Sequence, residues 1–591
     1  GLGDVYKRQM MCKVKKMYPL WGLLLSFPLW TVSCVDNKYD LDKDIDMTIN
    51  VGGEHLTIPA GSSDTAYLSK IIEVEEGDIL QPDAATRVYH LTKRDDIDVD
   101  PTTVKEVTIS SANTDLKQEL VGSGDGGSGS KTTELDVKNN LRAEASDIDE
   151  ALIELGALGA KTPTSLTLAF EFLNTGNLTF GSVTAKNLEI QLPDFLMFEK
   201  GEVEEGNKLI LNNEELKNAQ KVLHVIGYQF GGKAGEGEIP DKNRTITING
   251  LVTMQGQVVT SGINGSGSLT MTLDVTLEEM TANSVTGVIQ PEIKAETTNI
   301  ELNDLPDFLK DEETRMDITN PVILLRAENQ LETPVEVDAV LTPMKGNAQI
   351  DGKEVKVGSG YGKTPVVLAS GKNVIALSRT GECTIKGVTS NVKVEDINDL
   401  LETIPDDIEV DLQPVVRNEG YYTAELGRAY EMPSSYEVDV PLSFEQNLNI
   451  VYNDSVQDLN KDLNDLDKVI LKKANVLLTV DNAIPLKLQL KPENVLIKDV
   501  YGNELTAVKK TIEEDKQYVT ESTDGEKPVT SELVLNLTSE DTAFLSKIDR
   551  ICFKLTAVPG SATGVPLKDT QWLKVTSIKL SVPGGVNVDL N

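Results

Sequence analysis

The chain has 591 residues, with 94 Asp and Glu against 56 Lys and Arg, a formal net charge of −38. A surface this acidic repels phosphate backbones, which excludes nucleic acid as a partner. Three His and four Cys leave little material for imidazole catalysis or a disulfide scaffold, so stability must come from packed cores, and the length suffices for several domains.

Residues 1–9, "GLGDVYKRQ", have no periodicity and read as translated adaptor sequence. From Met10 follow Lys13, Lys15 and Lys16, then the apolar run Pro19 to Ser33, then Cys34. The run is shorter than the roughly 20 residues a spanning helix needs, and Pro28 interrupts it, so residues 10–33 read as a signal peptide. Ser33 before Cys34 resembles a lipoprotein cleavage site. Thr31 stands where a strict lipobox has Leu, as in the looser boxes of Bacteroidota. Acyl chains on Cys34 would anchor the chain, each buried CH2 contributing about 0.8 kcal/mol. The acidic stretch 34–50 is either a solvated tether or a signal for transfer to the outer face.

Strict alternation then dominates. Leu166, Leu168, Phe170 and Phe172 share one side of a strand, as do Leu269, Met271, Leu273, Val275 and Leu277, then Val335, Val337, Ala339 and Leu341, and Leu486, Leu488 and Leu490. Period two with one apolar face specifies half-buried antiparallel strands. Asn264-Gly265 and Asp351-Gly352 mark turns. The octapeptide "DTAYLSKI" at 64–71 returns as "DTAFLSKI" at 541–548, and each copy reads as a short crossover helix, capped by its Asp and closing the end of a sandwich. Looser helical versions are expected at 146–155, 212–220, 395–402 and 454–467. Strands ending in Asn174, Asn329 and Asn482 recur, as does "LPDFL" at 192 and 305 with "IPDDI" at 404.

The expected class is all-β: several stacked antiparallel β-sandwich domains, Ig-like or LEA-like, with short crossover helices. The expected domains are an N-terminal β domain at 51–160 with a Gly/Ser loop at 122–130, and sandwiches at 161–300, 301–435 and 436–591.

"YDLDKDIDMTI", "LTIPAG", "VPLSFEQNLNIVYNDS", "VDNAIPLKLQL" and "PGGVNVDL" together resemble a family of Bacteroidota envelope lipoproteins that carries no established activity to transfer. The resemblance covers both ends of the chain well and the middle poorly. It implies an outer-membrane location, on the periplasmic or cell-surface face, and β-rich modules. The Asn-turn-Pro strand pairs are similar to the sandwich of late-embryogenesis-abundant type 2 proteins, at the level of fold alone.

The chain carries few motifs of catalytic or metal chemistry. Gly122, Gly124 and Gly127 satisfy a G-x-G-x-x-G spacing but lie in a Gly/Ser tract with no helix after it, which reads as a loop. Asp40, Asp42 and Asp44 begin a calcium-loop pattern, but Ile45 and Val51 replace its Gly and Glu. His55, His90 and His224 form no metal-binding pair, and His224, sharing a side with Val222 and Ile226, reads as a packed strand residue. No catalytic residue, metal or cofactor is expected. Sugar stacking would fall to Tyr421, Tyr422, Tyr430, Tyr436 and Trp572. Thr65, Ser455 and Thr542 sit in Asp-Ser/Thr-small triplets that resemble Bacteroidota O-glycosylation sites, although capping by the Asp explains them equally. The expected function is a non-enzymatic, lipid-anchored structural or adhesive module with a membrane contact at Cys34 and a protein or glycan partner. The alternatives are a glycan-binding component of a polysaccharide-uptake system, or a hydrolase if carboxylates cluster in a deep groove.

Overall fold

The computed structural model describes residues 49–51, 55–72, 74–124, 129–230, 237, 239, 242–302, 305–306, 309–417, 420–460, 469–583 and 586–588. Cys34, the signal segment, most of the tether, Gly127 and 461–467 of the last expected helix lie outside them. The chain is all-β, built from antiparallel ladders apart from the parallel pair Gly371–Ser378 with Ser390–Lys393. Among the described residues α-helix is confined to Leu68–Ile71, Asp399–Glu402 and the single residue Asn460. The expected helices at 146–155 and 212–220 are instead turns leading into the strands Leu152–Asn174 and Gln220–Gln229, because Asp147, Asn213 and Asn218 adopt left-handed φ values of 54°, 60° and 62° that no right-handed helix accommodates.

Three packed units form, and their order in the chain is nested. In the C-terminal sandwich, one sheet runs His55–Gly61, Trp572–Pro583, Lys473–Asn482, Val529–Thr538, Lys509–Ile512. The facing sheet runs Ile450–Val456, Arg550–Val558, Lys487–Lys498, Tyr518–Val519. Val476, Leu478, Leu533 and Leu535 of the first sheet meet Leu490, Val495, Ile551 and Phe553 of the second.

The middle sandwich is built the same way. Leu80–Pro82 and Tyr89–Ile97 join Ser434–Pro441, Val322–Asn329, Gly371–Ser378 and Ser390–Lys393, opposite a sheet centred on Val335–Lys345 and Asp407–Val415. Ile323, Leu325 and Leu377 pack there against Val337, Ala339 and Leu341. The inward-facing alternation expected from the sequence holds, and each fully buried Leu or Val contributes about 1.5–3 kcal/mol.

The third unit is a 12-stranded sheet formed almost wholly by residues 107–289. Its longest strand, Leu152–Asn174, pairs Met280–Ile289 with its first part and Leu269–Leu277 with its second. Register shifts between Leu152 and Ala160, and again between Gly159 and Thr164, bend the strand so that one strand serves both partners.

The chain therefore enters through the C-terminal sandwich, crosses the middle one, builds the large sheet and returns. The outgoing and returning connections lie side by side: Val99 bridges Ala295, the Asp100 N–H donates to the Lys294 carbonyl at 2.9 Å, and the Glu296 N–H to the Asp98 carbonyl at 2.9 Å. Residues 51–160, expected as one N-terminal domain, contribute strands to all three units. A strand's alternation says which face is dry but not which distant strand it pairs with.

The two octapeptides end in the same sandwich and differ in conformation. At 64–71 the residues Ala66–Tyr67 are extended and pair with Leu573 and Trp572, so the helix starts only at Leu68. Its N-cap is Tyr67, with no side-chain cap bond, and Asp64 is exposed, which corrects the expected cap. At 541–548 the Asp541 carboxylate does accept the Ala543 N–H at 3.1 Å, ahead of the 3₁₀ turn Leu545–Lys547. Leu68, Phe544 and Leu545 are buried and Tyr67 is exposed.

The strand-end asparagines have a clear role. Asn482 Nδ2 donates to the carbonyls of Leu486 and Thr520, both at 3.0 Å, and its Oδ1 accepts the Ile484 N–H at 2.9 Å. Asn329 repeats this with Thr333, Leu368 and Leu331 at 2.9, 3.2 and 3.0 Å. Asn174 keeps the first bond, to Leu178, at 2.6 Å. In the two "LPDFL" copies one backbone bond is shared, Leu196 N–H reaching the Pro193 carbonyl and Leu309 N–H that of Pro306.

Candidate functional site

Arg87 ties the middle sandwich to the C-terminal one. In a turn with φ of 63°, it sends its guanidinium as a two-point clamp onto the buried carboxylate of Asp569, with Nε to Oδ1 at 3.1 Å. Backbone bonds continue the seam, Tyr89 N–H to the Leu567 carbonyl at 2.9 Å and Leu567 N–H to that of Leu442 at 2.8 Å. Nothing in the local sequence marks this pair.

His90, one strand position further, places Nδ1 2.5 Å from Asp439 Oδ1. The hydrogen bond and charge of Asp439 raise the imidazole above its ordinary value, against the opposing effect of burial. A raised folded value favours the protonated ring, so this stabilisation is complete below about pH 6.5 and is lost as pH rises through the folded value. Titration of the His90 ring followed by NMR should give an apparent value above 6.5 that drops towards it in Asp439→Asn. An unshifted ring in the wild type would refute the pairing.

Where the two connections enter the large sheet, an open polar cleft of about 730 Å³ forms. Asp100, Asp147, Glu150 and Glu292 line it together with Lys105 and Lys294. Two further polar residues of the cleft are committed to the loops. Asp149 accepts the N–H groups of Lys105 and Ala151 at 3.1 and 2.9 Å, and Arg244 donates to the carbonyls of Ile148, Asp149 and Leu152. The carboxylate-lined groove that a hydrolase needs is thus present in outline, but the cleft has no aromatic side chain among its described lining on which a sugar could stack.

A second cavity, of about 130 Å³ and almost wholly apolar, opens at the end of the C-terminal sandwich. Leu68 and Ile71 from the first octapeptide and Ile72 just after it wall it, with Ile450, Leu486 and Leu555 opposite.

The expected aromatic group is dispersed. Tyr430 and Tyr436 are buried, with Tyr430 Oη accepting the Glu425 N–H at 2.7 Å and Tyr436 Oη donating to the Asn299 carbonyl at 3.2 Å, so neither offers a face to a sugar. Tyr422 is half-buried in a short strand opposite Gly287. Tyr421 is half exposed, and its hydroxyl donates to Glu154 at 2.5 Å, which pushes its value up to about 12. Trp572 stands in the C-terminal sandwich beside the exposed Tyr67 of the first octapeptide. Thr65, Ser455 and Thr542 are all half-buried. Cys383 and Cys552 are free thiols.

His224 departs from expectation. Along Gln220–Gln229 the buried side chains are Leu223, Val225 and Tyr228, whereas Val222, His224 and Ile226 face outward. Both faces of this strand carry apolar residues, so alternation alone could not choose. His224 Nδ1 lies 2.6 Å from Glu202 Oε1, and Glu202 Oε2 accepts the His224 backbone N–H at 2.6 Å.

The fold defines a multi-sandwich all-β protein. Among the described residues no helix is long and apolar enough to cross a membrane. No family model matches the chain, and no curated protein matches it. Among solved structures, a Parabacteroides distasonis protein described as secreted is similar over 50% of this chain and 83% of its own, at 16% identity and a TM-score of 0.37. A triple jelly-roll protein of an archaeal virus follows at 10% identity and TM-score 0.10, covering 80% of this chain and 91% of its own. The VP2 subviral particle of infectious bursal disease virus gives 8% and 0.12, covering 80% and 82%. Scores this low carry no argument about function.

Proposed function

We propose that the chain is a lipid-anchored, non-catalytic interaction module of the bacterial envelope, which presents its large sheet to a protein or glycan partner. The observation that supports this reading is the nested path. His55–Gly61, shortly after the tether, pairs Trp572–Pro583 in the C-terminal sandwich, while the large sheet is spliced in through two adjacent connections. Among the described residues no ladder or isolated bridge joins the large sheet to the C-terminal sandwich. An anchor at Cys34 would therefore hold one end of the series of ladders and leave the other available. The acidic surface keeps it clear of anionic headgroups, so attachment falls to the acyl chains.

The test is expression with the native signal in a Bacteroidales host. Wild-type protein should fractionate with membranes and show an intact-mass increase from acyl chains, whereas Cys34→Ala should be soluble and unmodified. A wild-type protein without added mass would refute the anchor. Glycan binding is favoured by one ring, Tyr421, and loss of a glycan-array signal in Tyr421→Ala would support it over a protein partner.

A further inference from the structure

Among the described residues, one set of three potential metal-ligating side chains converges, Glu199, Glu202 and His224, with donor atoms all within 4.8 Å of one another. We propose that these three side chains form a surface site for a borderline divalent cation, zinc in the first place, on the edge of the large sheet.

Two chain segments supply the donors, and backbone bonds hold them in register. The Glu199 N–H donates to the His224 carbonyl at 3.0 Å, and the Glu202 N–H to the Glu199 carbonyl at 3.3 Å, so the turn after Leu196–Phe198 is fixed against the strand Gln220–Gln229. Glu202 is oriented independently of the ring, because one of its oxygens accepts the His224 backbone N–H while the other faces Nδ1. That leaves the position between Nδ1 and the second oxygen for either a proton or a metal ion. An ion there keeps the carboxylate's backbone bond, which acts as the orienting outer contact that metal ligands require.

The donor set selects the ion. Zinc bonds of about 2.0–2.2 Å to imidazole nitrogen and carboxylate oxygen place neighbouring ligands roughly 3.4 Å apart, so the His224 and Glu202 donors, now 2.6 Å apart, must open by about 0.8 Å and Glu199 must adjust its rotamer to close the set. One nitrogen among the donors disfavours calcium and magnesium, which take all-oxygen shells, and favours zinc, copper or nickel. Glu204 and Glu205 follow in the same turn and raise the local cation concentration. Three protein ligands leave a fourth position for water or for a donor from a partner.

The test uses the full chain, purified without a polyhistidine tag and titrated with zinc chloride by calorimetry, with histidine NMR resonances followed in parallel. One saturable event per chain is expected, perturbing His224 and leaving His90 unchanged. His224→Ala and Glu199→Gln should each weaken it at least about tenfold. Glu199 is exposed, so its variant should keep the wild-type circular dichroism spectrum. Absence of saturable binding, or equal affinity in His224→Ala, would overturn the site.

Discussion

Asn482→Asp should destabilise the C-terminal sandwich by about 3–5 kcal/mol at neutral pH, the scale of an uncompensated buried charge. The exchange replaces an NH2 that donates to two carbonyls by an oxygen facing the same two carbonyls, at a residue with no solvent exposure. Asn482→Ala removes all three bonds without adding charge and should cost less, about 2–3 kcal/mol. The Asp penalty should shrink below pH 5, where the neutral acid regains one donor. Hydrogen exchange across Lys473–Asn482 and Lys487–Lys498 reads the effect locally, and equal protection in the Asp and Ala variants at pH 7 would refute it. Asn329→Asp should act the same way in the middle sandwich, where the bonds are repeated.

Gly267→Ala should cost the large sheet about 3 kcal/mol. Two loops cross there, zipped by the Thr175 N–H to the Ser268 carbonyl at 2.9 Å and the Asn177 N–H to that of Ser266 at 2.8 Å. Gly267 has φ of 148°, and a Cβ would overlap the Thr175 carbonyl oxygen, a backbone atom that cannot swing aside. A lowered urea midpoint with faster exchange at Leu269–Leu277 is the expected result. An unchanged midpoint would mean that the crossing is looser than its hydrogen bonds require.

Much of the fold is legible from the residues, and the gaps have specific causes. Alternation places Leu166, Leu168, Met271 and Val337 inside correctly because one face of each of those strands is polar. The strand-end asparagines are legible as a recurrence, and the hydrogen bonds explain why it recurs. The nesting is not legible, since Ile58 pairs Leu580 and nothing near either names the other. Arg87 and Asp569 are hidden for the same reason. The Glu199, Glu202 and His224 group escapes notice because its members come from two segments, and because Val222 and Ile226 make the outward face of the strand read as an inward one.

The pairing of Ile58 with Leu580 also dictates a timetable. As the polypeptide emerges from N- to C-terminus, the large sheet has all its ladder partners once Tyr422–Glu425 has appeared, but the edge of Trp572–Pro583 that His55–Gly61 needs is made almost last. Until then the leading strand waits with an unsatisfied edge, the condition that invites aggregation and calls for chaperone protection. A nascent chain cut short before Trp572 would carry a finished large sheet on a base that cannot close.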